Sequence, residues 1–158
     1  MYSIKIADAI RQFLTGDDWH FSFNEETGIF TMSLSLKCKL KEVSYSIRVS
    51  DDRYTVYTTC PINADTDDHK QMATMAEFIC RANYGLSIGN FEFDFRDGEI
   101  RYKVTETREA SEMTPDSIRK SIFIPAIMFE RYSKGILNII FNDADAATCI
   151  EQCEAEED

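Results

Sequence analysis

The chain reads as an α+β protein, an antiparallel β-sheet of about six strands with helices packed on one face. Three observations predict this class. Apolar and polar residues alternate along four successive runs between Trp19 and Cys60, the period-two pattern of half-buried strands. A further strand pair is centred on Asp97-Gly98, a strong two-residue turn signal. Helical spacing marks 3–15, 66–84, 114–141 and 143–154. A run of strands with helices set around it, without alternating βαβ units, is the α+β arrangement.

Taken in order, Ile6, Ile10, Phe13 and Leu14 recur at helical spacing, with Ile4 and Ala7 widening the stripe, and Gly16 is the expected stop. Trp19, Phe21 and Phe23 alternate with His20, Ser22 and Asn24 to make a first strand, and Glu25–Gly28 supplies the turn. Phe30, Met32, Leu34, Leu36, Cys38 and Leu40 alternate without a break, so the second strand is expected to run the full length to Leu40. After Lys41-Glu42 the apolar positions change parity to Val43, Tyr45, Ile47 and Val49, as a turn between antiparallel strands requires. Asp51-Asp52 turns the chain again into a strand from Tyr54 to Cys60, ended by Pro61. The acidic stretch Asp65-Thr66-Asp67-Asp68 fits the first turn of the next helix, where acids suit the positive end of the dipole. Its stripe is Met72, Met75, Ala76, Ile79 and Asn83, and Gly85 is the natural residue just past its end.

In the hairpin at 89–106, a type I′ turn at Asp97-Gly98 sets Phe95 opposite Ile100, Phe93 opposite Tyr102 and Phe91 opposite Val104. On the other face it sets Asp94 opposite Arg101 and Glu92 opposite Lys103. Thr114-Pro115 opens another helix, and its apolar positions continue through Pro125 to Ile140. That proline predicts either a kink or two helices, 114–124 and 126–141. One side of this helix carries Ile118, Ile122 and Phe129, and another carries Phe123, Ile127 and Met128. A helix apolar over that width is central or is half-covered by a second subunit, so Phe123, Ile127 and Met128 are the candidate partner or dimer surface. Residues 143–154 form a short last helix, and 155–158 are an acidic tail expected to fray. With no linker or internal repeat, residues 1–158 are expected to form a single domain.

The chain carries 28 acidic and 17 basic residues in 158. Seven of the acids lie from Asn142 onward with no base among them, which leaves 21 against 17 in the rest. Such a body lacks the concentrated Lys/Arg patch that nucleic acid requires, and anionic membrane surfaces are disfavoured for the same reason. There is no signal-peptide pattern and no apolar run near the roughly 20 residues that span a bilayer. Five cysteines at spacings without a disulfide framework point to a reduced, cytoplasmic protein.

Catalytic and metal chemistry find no anchor in the pattern. His20 and His69 have no partner at ligand spacing and read as surface residues. Cys149 and Cys153 share a helix face, but neighbouring acids raise a thiol's pKa, and two small residues on the buried side of a terminal helix explain them better than a redox pair does. The carboxylate groups around Asp51, Asp65 and Asp143 do not follow the calcium-loop pattern. The chain is therefore read as a non-enzyme, with no cofactor and no metal. The alternative is a small-ligand sensor with a pocket between helices 66–84 and 114–141 and the sheet.

Three motifs, Asn83-Tyr84-Gly85, Gly89-Asn90-Phe91-Glu92 and Asp97-Gly98-Glu99-Ile100-Arg101-Tyr102, resemble the YbjN domain family, bacterial proteins described as sensory transduction regulators. Weaker similarity covers strand 53–60, helix 66–84, helix 114–141, where Gly135 stands in place of an expected proline, and the acidic helix 143–154. The resemblance implies a fold similar to type III secretion chaperones, often homodimeric, which hold an extended client segment and are not enzymes. It supplies no catalytic residue. Asn83, Gly85, Gly89, Asp97 and Gly98 are expected to be structural, with Asn83 capping its helix or bonding the following turn and Gly85 left-handed. The expectation is a regulatory or chaperone-like protein-binding adaptor, a homodimer with an unknown protein client.

Overall fold

In the computed structural model, which describes residues 1–107 and 113–155, six strands form one antiparallel sheet in the order β1-β2-β3-β4-β6-β5. The strands are β1 Phe21–Asn24, β2 Ile29–Ser35, β3 Glu42–Val49, β4 Tyr54–Thr59, β5 Asn90–Phe93 and β6 Ile100–Glu106. The helices are α1 Ile4–Gly16, α2 His69–Asn83, α3 Pro115–Asn142 and α4 Ala146–Glu154. This is the class read from the sequence: alternation sends one set of side chains to a core shared with the helices and the other set to solvent. Phe30, Met32, Val43, Tyr45, Ile47, Tyr54, Val56, Phe91, Tyr102 and Val104 are buried inward, while Thr31, Ser33, Ser44 and Arg48 are exposed on the far side.

Each helix begins where a polar side chain can satisfy its free N–H groups. Ser3, Asp68, Thr114 and Asp145 cap α1, α2, α3 and α4, and Thr114 with Ser117 makes a reciprocal capping box ahead of Pro115. The α2 cap corrects the expected start. Asp65–Asp68 form a turn before the helix, with Asp68 N donating to Asp65 O, so the acids precede the first turn. Phe78 and Ala82 join Met72, Met75 and Ile79 on the buried stripe, while Ala76 is only half-buried.

Helix α3 is continuous through Pro125, which settles the choice left open by the sequence. Proline has no N–H for the Ser121 carbonyl, and two sheet tyrosines bond in that same turn. Tyr45 Oη donates to Ile122 O at 2.9 Å; Tyr54 Oη lies 3.0 Å from Ser121 Oγ, which itself donates to Ile118 O. These bonds fasten the proline turn to the sheet's inner face. Burial pushes the Tyr45 hydroxyl well above its ordinary value, so it stays protonated and remains a donor. Further along, Gly135 lies against Phe78: a Cβ there would stand 2.4 Å from Phe78 Cε2. The glycine that interrupts the expected pattern is what lets α2 approach α3.

Two expectations within the sheet are corrected. β2 ends at Ser35, and 36–41 form a loop closed by Leu36 N donating to Lys41 O, with Lys41 at φ 70°. Leu36 and Leu40 keep the strand's apolar parity because the loop buries both. The β5–β6 hairpin is shifted by two residues: Phe91 pairs with Tyr102, Glu92 with Arg101 and Phe93 with Ile100. Its loop is longer than a two-residue turn. Asp94 N donates to Glu99 O, Gly98 N donates to Asp94 O, and Phe95 is exposed instead of facing Ile100. Of the acidic ending 155–158, only Ala155 lies within the described residues.

Candidate protein-binding surface

Helices α2 and α3 pack on one face of the sheet, with α1 against α3 and α4 against both α2 and α3, and among the described residues no helix covers the other face. Across β1, β2, β3 and β4 it carries Ser22, Thr31, Ser33, Ser44, Ser46 and Thr59, with His20 at one corner. These short side chains leave a shallow depression of about 730 Å³, open to solvent. On the same face, outside the depression, lies a stacked group. The Arg48 guanidinium lies 5.0 Å from the centre of the Tyr57 ring, and the Arg101 guanidinium lies 4.3 Å from it. Arg101 and Lys103 on β6 both reach Glu92 on β5, at 2.6 and 2.5 Å. Partial burial would raise the Glu92 carboxyl, but bonds from Lys103 and Arg101 outweigh it and hold the pKa below the ordinary value. Arg48 differs: among the described residues no carboxylate lies within ion-pair distance of it.

The two edges of the sheet are not equivalent. At β5, the Asn83 amide lies against the outward side of the strand. Asn83 Oδ1 accepts from Phe91 N at 2.7 Å, and Asn83 Nδ2 donates to Phe91 O at 2.9 Å. One side chain thus makes the two bonds that a neighbouring strand would make at that residue, and it plugs the edge. At β1 the inward rings Phe21 and Phe23 are only half-buried, and Ser22 and Asn24 face out. Tyr2 edge-stacks on Phe23, and Arg11 lies 4.7 Å over the same ring. β1 carries no side-chain plug of the Asn83 kind among the described residues.

The candidate residues on α3 have three different surroundings. Met128 is 9% exposed and belongs to the core, Phe123 is half-buried with its ring 5.8 Å from that of Trp19, and Ile127 is 59% exposed. Ile127 is therefore the residue of the three that a second molecule can reach. The structural set has clear local roles. Gly85 is left-handed at φ 83°, after the helix end. Gly89, at φ 70°, packs its backbone where a Cβ would stand 2.5 Å from Lys103 O. Asp97 Oδ1 accepts from Glu99 N, and Asp97 O accepts from Asn63 Nδ2. Asn83 does more than expected, since it bonds a strand eight residues ahead and not only its own turn. No local pattern announces that bond. The Arg48–Tyr57–Arg101 stack also escaped the sequence, because β4 pairs with β6 across an intervening helix and strand.

Cysteine and metal chemistry find little footing here. All five thiols are free, and no group of three or more His, Cys, Asp or Glu among the described residues could hold a metal ion. Burial first, and then each neighbouring acid or thiol, pushes Cys149 up; burial likewise raises Cys153 and lifts Cys60 to about 11. Such thiols stay protonated and react slowly. Iodoacetamide at about pH 8 is expected to modify exposed Cys80 first and to reach buried Cys60 and Cys149 only on unfolding. Equal labelling of all five in the folded protein, read by mass spectrometry, would contradict this placement.

No described helix is long and apolar enough to cross a membrane. Neither a protein-family model nor a curated protein sequence matches this chain. Among solved structures, a chain in the crystal structure of the ExsC–ExsE complex is similar at a TM-score of 0.47 and 15% identity, covering 80% of this chain and 92% of that one. The functional reading therefore rests on the geometry of the surface itself.

Proposed function

We propose that this chain is a non-enzymatic protein-binding module, a chaperone-like or regulatory adaptor of the YbjN type, acting in the cytoplasm as a homodimer. The observation that carries the reading is the sheet. Among the described residues, helices cover its six strands on one face only, and β5 is plugged by Asn83 while β1 is not. An extended client segment can lie across the hydroxyl depression or add to β1, where main-chain bonds give affinity and alternate side chains give register. The interior between α2, α3 and the sheet offers a small ligand less. Phe91 packs edge-on against Tyr102, Phe129 and Tyr132, and Phe78 against Tyr132, so rings occupy that space. This packing favours the adaptor over a sensor with an internal pocket.

The experiment is affinity capture from the native lysate, comparing the wild-type chain with Ser44→Trp. Ser44 is exposed, so an indole there fills the depression without entering the core. One or two proteins recovered near equimolar with wild type and lost with Ser44→Trp are the expected result. The same proteins recovered equally by both would refute the open face as the binding surface.

The homodimer has its own test. Ile127→Asp is expected to halve the solution mass measured by light scattering and to leave the melting temperature within about 2 °C, because Ile127 contributes little to the core. An unchanged mass would place the dimer contact elsewhere. Met128→Asp cannot serve this purpose, since a charge in the core unfolds the chain whatever its partners.

A further inference from the structure

Arg48 stands apart from the other cations of the open face, since Arg101 and Lys103 are paired with Glu92 and Glu99. The polar side chains around the depression are hydroxyls and one imidazole, and the Arg48 and Arg101 guanidiniums and the Lys103 ammonium lie beyond it on the same face. The acids of this face are Glu92, bonded by Arg101 and Lys103, Glu99, 3.8 Å from Arg101, and exposed Glu42, two residues before Ser44 and roughly 20 Å along the strand from Arg48; Glu25 and Glu26 sit in the β1–β2 turn. In a chain of net charge −11, this face gathers hydroxyls and carries, in Arg48, a cation with no carboxylate partner among the described residues.

Arg48 is also held in place. Its guanidinium rests over the Tyr57 ring, which in turn lies beside Arg101, so the planar fork is presented flat on the sheet rather than sweeping through solvent. Thr55, opposite Arg48 on β4, shares a hydrogen bond with Thr105 at 3.0 Å, so the neighbouring hydroxyl is occupied within the sheet. A fixed guanidinium loses less freedom on binding and can take both oxygens of a carboxylate.

We infer that the open sheet face recognises an acidic extended peptide, with Arg48 on Tyr57 taking a client carboxylate and the Ser44, Ser46, Thr31 and Ser33 hydroxyls bonding the segment beside it. This rests on the adaptor reading above and names the chemistry of its client. Six strands at roughly 4.8 Å each make a face about 29 Å wide, so about nine extended residues cross it. The chain's net negative charge repels such a client at long range, but that repulsion is screened beyond about 8 Å at physiological salt. The contact to Arg48 is made within that distance.

The test is fluorescence polarisation with fluorescein-labelled peptides of about nine residues, alternating threonine with glutamate, glutamine or lysine. A single-stranded oligothymidylate of similar length serves as the phosphate probe. The glutamate peptide is expected to bind at least about tenfold tighter than the glutamine peptide, and the lysine peptide not to bind. Arg48→Gln is expected to remove that preference, and so is Ser46→Asp, which leaves the arginine but sets a competing carboxylate beside it. Thermal unfolding of both variants separates a lost contact from a lost fold. Equal binding of the glutamate and glutamine peptides, a preference untouched in folded Arg48→Gln, or tighter binding of the oligonucleotide would each overturn the inference. If the glutamate peptide fails while Ser44→Trp still loses its captured partner, the adaptor reading stands and only the client chemistry falls.

Discussion

Gly98→Ala is expected to destabilise the protein by about 2–4 kcal/mol, lowering the melting temperature by roughly 5–15 °C. Two causes act together. Gly98 has φ 72°, in the left-handed region where a side chain costs about 1–2 kcal/mol. Its Cβ would also stand 2.1 Å from the backbone oxygen of Ala64, in the segment leading into α2. That oxygen belongs to main chain already tied down, since Ala64 N donates to Gly98 O at 3.0 Å and Asn63 Nδ2 donates to Asp97 O. Neither side can yield without losing these bonds. Circular dichroism melting of the variant checks the expectation, and a melting temperature within about 2 °C of wild type would show that the hairpin loop is not locked against residue 64.

Asn83→Ala is expected to have two effects, and only the first is a loss of stability. Phe91 N–H and C=O lose their partner at a partly buried edge, at a cost of about 1–3 kcal/mol. The second is exposure: with its plug gone, β5 becomes a free strand edge, and such edges pair with one another. The variant is therefore expected to self-associate below its melting temperature, with size-exclusion chromatography showing species larger than wild type. Asn83→Asp keeps the acceptor for Phe91 N–H and loses the donor, so an intermediate loss is expected. If Asn83→Ala melts as wild type and elutes unchanged, the amide does not guard the edge.

Much of the fold was legible because burial imposes a period. Alternation in Phe30–Leu34 and Val43–Val49 identified both strands and their inward faces, and the parity change located the turn between them. The same property explains the misplaced hairpin register. A slip of two residues leaves every side chain on its own face, so Glu92 meets Arg101 instead of Lys103 and the aromatic side is equally satisfied. What decides between the two registers is tertiary: the Gly98 contact with Ala64 and the Asp94 carboxylate bonding Arg96 within the loop. The bond between Arg96 and Asp94 also holds that carboxyl down at about 2. Leu36 and Leu40 misled for a related reason, since a loop that buries two leucines looks like strand.

The surface was far less legible. Its features join strands distant in the chain: Arg48, Tyr57 and Arg101 meet because β3, β4 and β6 are neighbours, and the hydroxyls of β1 to β4 share a face for the same reason. Serines and threonines at alternate positions read simply as the solvent side of strands, whether or not anything binds there. On α3, helical spacing grouped Phe123, Ile127 and Met128, but their exposures diverge because Trp19, from the segment before β1, covers Phe123 while the core takes Met128. Exposure on a helix depends on what packs beside it, and residue spacing alone does not contain that.

The most direct measurement is site-specific photo-crosslinking in the native cell, with benzoylphenylalanine placed at Ser44 on the open sheet face and, separately, at Lys134 on the exposed side of α3. The Ser44 probe is expected to capture one or two defined proteins identifiable by mass spectrometry, and the Lys134 probe is expected not to capture them. Capture of those proteins from Lys134 alone, or no cross-linked protein from Ser44, would contradict the account.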